Sequence, residues 1–186
     1  SYDEKNGIIE KLDPDETSSI NTIQDDNEEN TTLNLKDSET VTITTKFGNI
    51  KIKLYPEMAP KHVENFKLHA ENGFYEGTIF HRVIPGFMIQ GGDPNTKGNN
   101  KASYGSGGHA AKYFGIGNEN DPKTWTLPAE FNEIHHTRGI VSMARGSDPN
   151  SAGSQFFIMT ADAPHIDGQY TVFGEVINGM EIVDRI

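Results

Sequence analysis

The chain has 186 residues and a formal net charge of -11, from 27 acidic and 16 basic residues, and it contains no cysteine. That length fits one domain with some additional chain, because single domains most often have about 100 to 150 residues. The composition excludes disulfides, cysteine nucleophiles and cysteine-based zinc sites, and no apolar stretch approaches the roughly 20 residues that a membrane-spanning helix needs.

The negative charge is concentrated near the N-terminus. Residues 1–40 hold twelve acids and three lysines, whereas residues 41–186 are almost neutral. Because the first segment has few apolar side chains to bury, it is predicted to be an acidic tail that is extended or disordered alone, or that contacts a larger protein assembly. Residues 41–186 are predicted to form the domain. Their near-neutral charge gives no electrostatic basis for binding nucleic acid.

The domain begins with a pattern of period two over residues 41–55. Apolar and polar side chains alternate on both sides of Gly48 and Asn49, which predicts a hairpin of two half-buried strands with its turn at these two residues. A helix is predicted over residues 56–73. Pro60 suits its first turn and Gly73 suits its C-terminal cap.

Further short strands are predicted along the rest of the chain, at residues 79–84, 87–90, 139–144, 156–160 and 171–177, with a second helix near Gly179. Many short strands with glycine-rich turns and only two helical patterns favour a closed barrel or a sandwich over a parallel α/β sheet. Residues 93–126 show hardly any periodicity. Because long structureless segments are usually functional, we expect this one to border a site.

No metal site or cofactor is predicted. The adjacent His135 and His136 cannot easily share one metal ion, and the chain lacks the His-Glu-x-x-His spacing of a helical zinc site. We therefore expect this pair to lie in a surface loop.

Arg82 stands in a dense apolar segment, FHRVIPGFMIQGGD at residues 80–93. Strand alternation would place it on the same face as Phe80 and Ile84, and a lone buried cation is costly. Two interpretations are open on residue type alone. Arg82 either forms a structural ion pair or stands at the edge of an apolar pocket and meets an uncharged polar ligand.

This segment, together with SMARGSDPNSAGSQFFI at 142–158 and DGQYTVFGEV at 167–176, closely resembles the cyclophilin family of peptidyl-prolyl cis-trans isomerases. The resemblance extends from about residue 41 to residue 186. It implies an all-β fold, a closed eight-stranded antiparallel barrel capped by two helices, with the site on the outer face. It also implies an enzyme that accelerates rotation about X-Pro bonds and assists protein folding, without metal or cofactor.

The resemblance implies a role for each matching residue. Arg82 corresponds to the catalytic guanidinium, which Gln90 would hold in place. The proline pocket and the peptide groove would be built by Phe87, Met88, Ala144, Gln155, Phe157 and Ile166. His165 and Tyr170 stand where the best-studied eukaryotic members have Trp and His. These two differences are typical of the bacterial branch and favour a location in the cell envelope or periplasm, with the cytoplasm as the alternative.

Two other functions stay open at this point. A proline-peptide binding module would need only the apolar pocket, and an accessory chaperone subunit would dock in a larger assembly through residues 1–40. Arg82 and Gln90 together favour the enzyme. The expected partners are proline-containing polypeptides, and the domain is expected to be monomeric. Because the family usually continues past residue 186 into a strand that closes the barrel, either this chain is a fragment or residues 1–40 substitute in part for that strand.

Overall fold

The computed structural model describes residues 9–14 and 39–186. Eight strands form one antiparallel sheet in the order β1-β2-β3-β8-β6-β7-β5-β4. The strands are β1 (Ile9–Pro14), β2 (Thr40–Thr45), β3 (Gly48–Leu54), β4 (Arg82–Ile84), β5 (Met88–Gly91), β6 (Ile140–Met143), β7 (Phe156–Met159) and β8 (Val172–Asn178). The helices are α1 (Pro60–Glu71) and α2 (Met180–Val183). None of the helices in this described part is long and apolar enough to cross a membrane.

The sheet curls into an open half-barrel, and the expectation of a closed barrel is wrong. A closed barrel needs a continuous hydrogen-bonded ladder around its circumference. Here β1 and β4 are the two edges of the sheet. The outer edge of β1 bonds to the chain ahead of β4: the Ile9 N–H donates to the Thr78 carbonyl at 2.7 Å, and the Gly77 N–H donates to the Ile9 carbonyl at 2.8 Å. Within the described residues, no ladder therefore joins the two edges.

Strand β1 comes from the acidic N-terminal segment and pairs with β2, from Ile9 opposite Thr45 to Pro14 opposite Val41. Its Ile9 and Leu12 side chains are buried in the main core. Seven residues of the predicted tail, the six of β1 and Thr40 of β2, are thus part of the sheet. The rest of that tail up to residue 38 lies outside the described residues, so its predicted extended state stays a prediction.

The predicted hairpin is confirmed, but its turn lies two residues earlier than expected. Thr45 pairs with Gly48, so the turn is formed by Lys46 and Phe47. The Thr45 hydroxyl accepts from the Phe47 N–H at 3.1 Å and donates to the Gly48 carbonyl at 2.9 Å. Gly48 has a φ of 132° and opens β3. A side chain there would also approach Ile182 too closely, so glycine is needed at the strand start rather than in the turn.

Helix α1 confirms the Pro60 and Gly73 signals, but it is shorter than the predicted range 56–73, because residues 56–58 form a turn and the helix ends at Glu71. Pro60 is in the first turn, and Gly73, with a φ of 66°, follows the C-cap. No side chain at the N-cap satisfies the first N–H groups. Instead Glu130 accepts from the backbone N–H groups of Lys61 and His62 at 3.1 and 3.0 Å. This distant carboxylate fixes the start of the helix against the opposite loop.

Two apolar clusters lie on the two faces of the sheet. In β7, Phe156 and Ile158 belong to the main cluster, which also holds the buried side of α1, while Phe157 and Met159 belong to a smaller outer cluster. Phe80 is in the main cluster, so the expectation that it shares a face with Arg82 is wrong. The reason is that regular strand structure begins at Arg82, and strand alternation does not extend back to residue 80.

Candidate active site

Arg82 is the first residue of β4, at the edge of the sheet, and its side chain is exposed. Antiparallel pairing places it opposite Gln90 on β5. One terminal nitrogen of the guanidinium donates to Oε1 of Gln90 at 3.3 Å. Arg82 forms no ion pair with any carboxylate that the structure describes. The structural-ion-pair interpretation is therefore not supported, and the charge faces the outer surface.

A chain of hydrogen bonds between side-chain amides, here called the amide relay, runs from Gln90 into the loop at residues 93–126. The side-chain amide of Gln90 donates to Oε1 of Gln155 at 2.9 Å, and the amide of Gln155 donates to the carbonyls of Gly105 and Gly107 at 3.0 and 2.7 Å. The fully buried Asp93 accepts from the N–H groups of the same two glycines. The loop thus borders the site, as predicted from its lack of periodicity.

An apolar floor lies beside Arg82. Met88 and Phe157 are buried, and Phe87 is half-buried. Phe157 is opposite Gln90 in one ladder and opposite Ser142 in the other, so the sheet register fixes it next to the polar relay. The floor opens into a cleft of about 140 Å³. Its lining residues are Arg82, Phe87, Met88, Gln90, Ala144, Arg145, Phe157, Ile166 and Tyr170.

The two remaining predicted residues lie close to this cleft. Gln155 lines an adjoining cleft of about 300 Å³, which shares Gln90, Ala144 and Arg145 with the first. His165 is exposed and stacks on Phe87, with ring centroids 5.8 Å apart and an interplanar angle of 29°. The structure therefore brings all ten predicted residues to one region of the outer face.

Behind the floor lies a buried polar group. His136 stacks on Phe157 with centroids 6.1 Å apart, its Nδ1 lies 3.0 Å from Oδ1 of Asp167, and its Nε2 lies 3.1 Å from the Ser142 hydroxyl. Burial lowers the pKa of His136, and the hydrogen bond to Asp167 counters part of that effect. Ser142 is fully buried and donates to the Thr171 carbonyl, so it is no accessible nucleophile. This group supports Phe157 from below.

The surface-loop prediction for the two histidines holds for one of them. The His135 side chain is 79% exposed, whereas that of His136 is fully buried. Among residues 9–14 and 39–186, no cluster of three or more His, Asp or Glu side chains could hold a metal ion.

Arg145 is a site residue that sequence reasoning missed. Its Nε and one terminal nitrogen donate to the Gln169 carbonyl at 3.1 and 2.7 Å, and the guanidinium carbon lies 4.8 Å from the centre of the Tyr170 ring. The signal that could have found it is the one used for Arg82, because it is also a lone arginine in a dense motif.

Comparison with known proteins agrees with this geometry. Residues 40–186 match the model of the family described as cyclophilin type peptidyl-prolyl cis-trans isomerase/CLD. The chain belongs to this family. The cyclophilin domain thus covers the main body of the sheet, and β1 precedes it.

Named relatives of this cyclophilin are isomerases. A probable peptidyl-prolyl cis-trans isomerase of Brucella suis is 47% identical over 147 residues, which cover 79% of this chain and 70% of the relative. The isomerase CYP18-1 of Arabidopsis thaliana is 46% identical over 144 residues, covering 77% and 79%. The crystal structure of a Cryptosporidium parvum cyclophilin in the presence of the dipeptide Ala-Pro superposes with a TM-score of 0.65 at 36% identity, covering 78% and 82%. The activity of this cyclophilin is accordingly peptidyl-prolyl cis-trans isomerisation.

Proposed function

We propose that Arg82 is the catalytic residue of this isomerase. An X-Pro bond rotates slowly because amide resonance sets a barrier of about 20 kcal/mol. In the twisted state the prolyl nitrogen is pyramidal and carries a lone pair. A donor aimed at that nitrogen stabilises the twisted state more than either planar state, and this difference lowers the barrier.

The environment of Arg82 suits this role. An arginine stays protonated, so the donor is available without a tuned acid or base. Its contact with Gln90 leaves most of its N–H groups for a substrate, and it shares its cleft with no carboxylate among the lining residues. The single observation that carries the proposal is this guanidinium, anchored by an amide relay and directed to the edge of an apolar floor.

The floor is proposed to hold the proline ring. Phe87, Met88 and Phe157 offer an apolar surface, and burial of the three ring methylenes contributes about 2 kcal/mol to binding. Ala144, Ile166 and Tyr170 complete the cleft, and His165 lies at its rim against Phe87. The ring is thereby fixed while the preceding carbonyl rotates.

The substrates are proposed to be proline-containing segments of polypeptides whose folding the enzyme assists. The cleft of about 140 Å³ is small, so the proline ring fills it and the neighbouring residues of the polypeptide lie beyond it. A monomeric domain and contacts of residues 1–40 with a larger assembly stay predictions.

The test of the catalytic role is Arg82→Lys, which keeps the charge and loses the planar fork. Exchange spectroscopy on a short Ala-Pro peptide should show at least a tenfold lower turnover, about 1.4 kcal/mol, because an ammonium group cannot reproduce the planar fork that donates to the substrate while anchored by Gln90. Arg138→Lys is the matched control, because Arg138 pairs with Asp184 and lines neither cleft. Equal turnover of the two variants would contradict the proposal.

A further inference from the structure

Arg145 stands at the junction of the two clefts. It lines both of them, together with Gln90 and Ala144. A polypeptide whose proline occupies the smaller cleft must therefore pass close to Arg145 if its neighbouring residues extend into the larger one. The side chains that flank the proline come within reach of this guanidinium.

The position of the guanidinium is fixed by neutral acceptors. Arg145 donates to the carbonyl of Gln169 through two nitrogens, and to those of Gly146 and Ser147 through the third, at 2.9 and 3.4 Å. These four bonds use four of the five N–H groups of a guanidinium. The fifth N–H group is on the terminal nitrogen that donates to the Gln169 carbonyl at 2.7 Å. No group among the described residues accepts a hydrogen bond from it.

The charge of Arg145 is not neutralised. For comparison, Arg138 elsewhere on the surface donates through its two terminal nitrogens to both carboxylate oxygens of Asp184. Neither Arg145 nor Arg82 has such a carboxylate partner in the part of the chain that the structure describes. Two unpaired guanidinium groups thus line one cleft, and the apolar floor beside them reduces dielectric screening.

We propose that Arg145 is a specificity-determining residue that selects X-Pro segments carrying an Asp or Glu side chain within two residues of the proline. The inference rests on the proposed function. A carboxylate can take the fifth N–H group as a charge-assisted hydrogen bond without displacing the four existing bonds. A neutral side chain at the same place gains much less.

The alternative is that Arg145 has a purely structural role, because its two hydrogen bonds to the Gln169 carbonyl hold two loops together. The two explanations differ in one measurable quantity. If Arg145 only holds the loops together, its loss should lower the turnover of every substrate by the same factor. If its charge selects substrates, its loss should change the ratio of kcat/KM between acidic and neutral substrates.

The experiment measures kcat/KM for matched Ala-Pro peptides that carry Glu or Gln at each of the two positions before and the two positions after the proline. At low salt, the Glu peptide should be preferred about two- to fivefold at one or more positions, which is the range of a partly exposed ion pair. The preference should fall towards one as added salt screens the charges. Arg145→Gln should reduce the ratio to about one, and Arg145→Lys should retain part of it.

Lys123→Gln is the matched control, because it removes one positive charge from an exposed residue that lines neither cleft. It should keep the full Glu preference. A parent enzyme that turns over the Gln peptides but shows no Glu preference, or a preference unchanged in Arg145→Gln, would overturn the inference. A parent enzyme that turns over none of the peptides would instead contradict the proposed function.

Discussion

Gln90 and Gln155 are joined by a side-chain hydrogen bond of 2.9 Å, which connects the guanidinium of Arg82 to the loop at residues 105–107. Gln90 lines both clefts, and Gln155 lines the larger one. Arg82 is therefore oriented indirectly, through two glutamine side chains, by a loop that lies outside the strands and helices.

Breaking this relay should impair turnover without unfolding the protein. In Gln155→Leu, the amide of Gln90 loses its acceptor and the loop loses two donors. We expect kcat to fall about tenfold, or about 1.4 kcal/mol, the scale of one lost hydrogen bond that acts on the twisted state. The melting temperature should fall by less than about 4 °C, because Gln155 is only half-buried. Steady-state kinetics and thermal unfolding report both quantities, and an unchanged kcat would show that the relay does not position Arg82.

Much of the site could be predicted because its parts are close in sequence. Arg82 and Gln90 lie in one hairpin, and the register of β4 with β5 places them opposite each other. The apolar run at residues 156–160 predicts a strand, and β7 occupies Phe156–Met159 with all four residues buried. The placement of Pro60 in the first turn of α1 and of Gly73 just after its C-cap is confirmed because proline and glycine act locally.

The features that sequence reasoning missed depend on distant contacts. The burial of His136 follows from its stacking on Phe157 and its bond to Asp167, and neither is visible in the local pattern around two adjacent histidines. Strand β1 was missed because residues 1–40 are acidic and contain few apolar side chains. Ile9 and Leu12 are buried only because β1 pairs with β2, and the local sequence pattern does not show that pairing.

Strand β1 should contribute to stability. Leu12 is 1% exposed in the main core, so Leu12→Ala should destabilise the fold by about 2 kcal/mol, the low end for a buried leucine, as expected at a sheet edge. For a chain of this size the melting temperature should fall by about 4 to 8 °C. Glu10→Ala, at an exposed position of the same strand, is the control and should shift it by less than 2 °C. If Leu12→Ala and Glu10→Ala have the same melting temperature, β1 is not packed on the sheet in solution.

Asp167 should make stability depend on pH in the acid range. The backbone N–H of His136 and the side chain of His135 lower its pKa to about 2, from an ordinary value near 4. Because the folded pKa lies below the unfolded one, this stabilisation is fully present above about pH 4 and is lost as the pH falls towards 2. Asp167→Asn lacks the titrating group.

The check is a series of urea unfolding curves for the parent and Asp167→Asn between pH 7 and pH 2. The difference in unfolding free energy should be largest near neutral pH and should shrink between pH 4 and pH 2. A difference that stays constant over that interval would show that the folded state does not favour the ionised carboxylate.

Changes in the apolar floor and changes at Arg82 should affect affinity and turnover differently. Phe157→Ala removes a buried apolar surface that is proposed to contact the proline ring, so peptide affinity and turnover should fall together. A titration of the same Ala-Pro peptide followed by NMR gives the affinity. Unchanged affinity in this variant would exclude Phe157 from the proline floor.

The most direct measurement is exchange spectroscopy on an Ala-Pro peptide with Arg82→Ala, because one sample reports both the isomerisation rate and the fraction of bound peptide. If Arg82 acts on the twisted state, the rate should fall at least a hundredfold, about 2.7 kcal/mol, as is typical for the loss of one preorganised donor. Peptide affinity should stay within a few-fold of the parent, since the apolar floor is intact. An Arg82→Ala protein that isomerises the peptide at near-parental rate would contradict the catalytic role of Arg82 and favour a site that only binds proline.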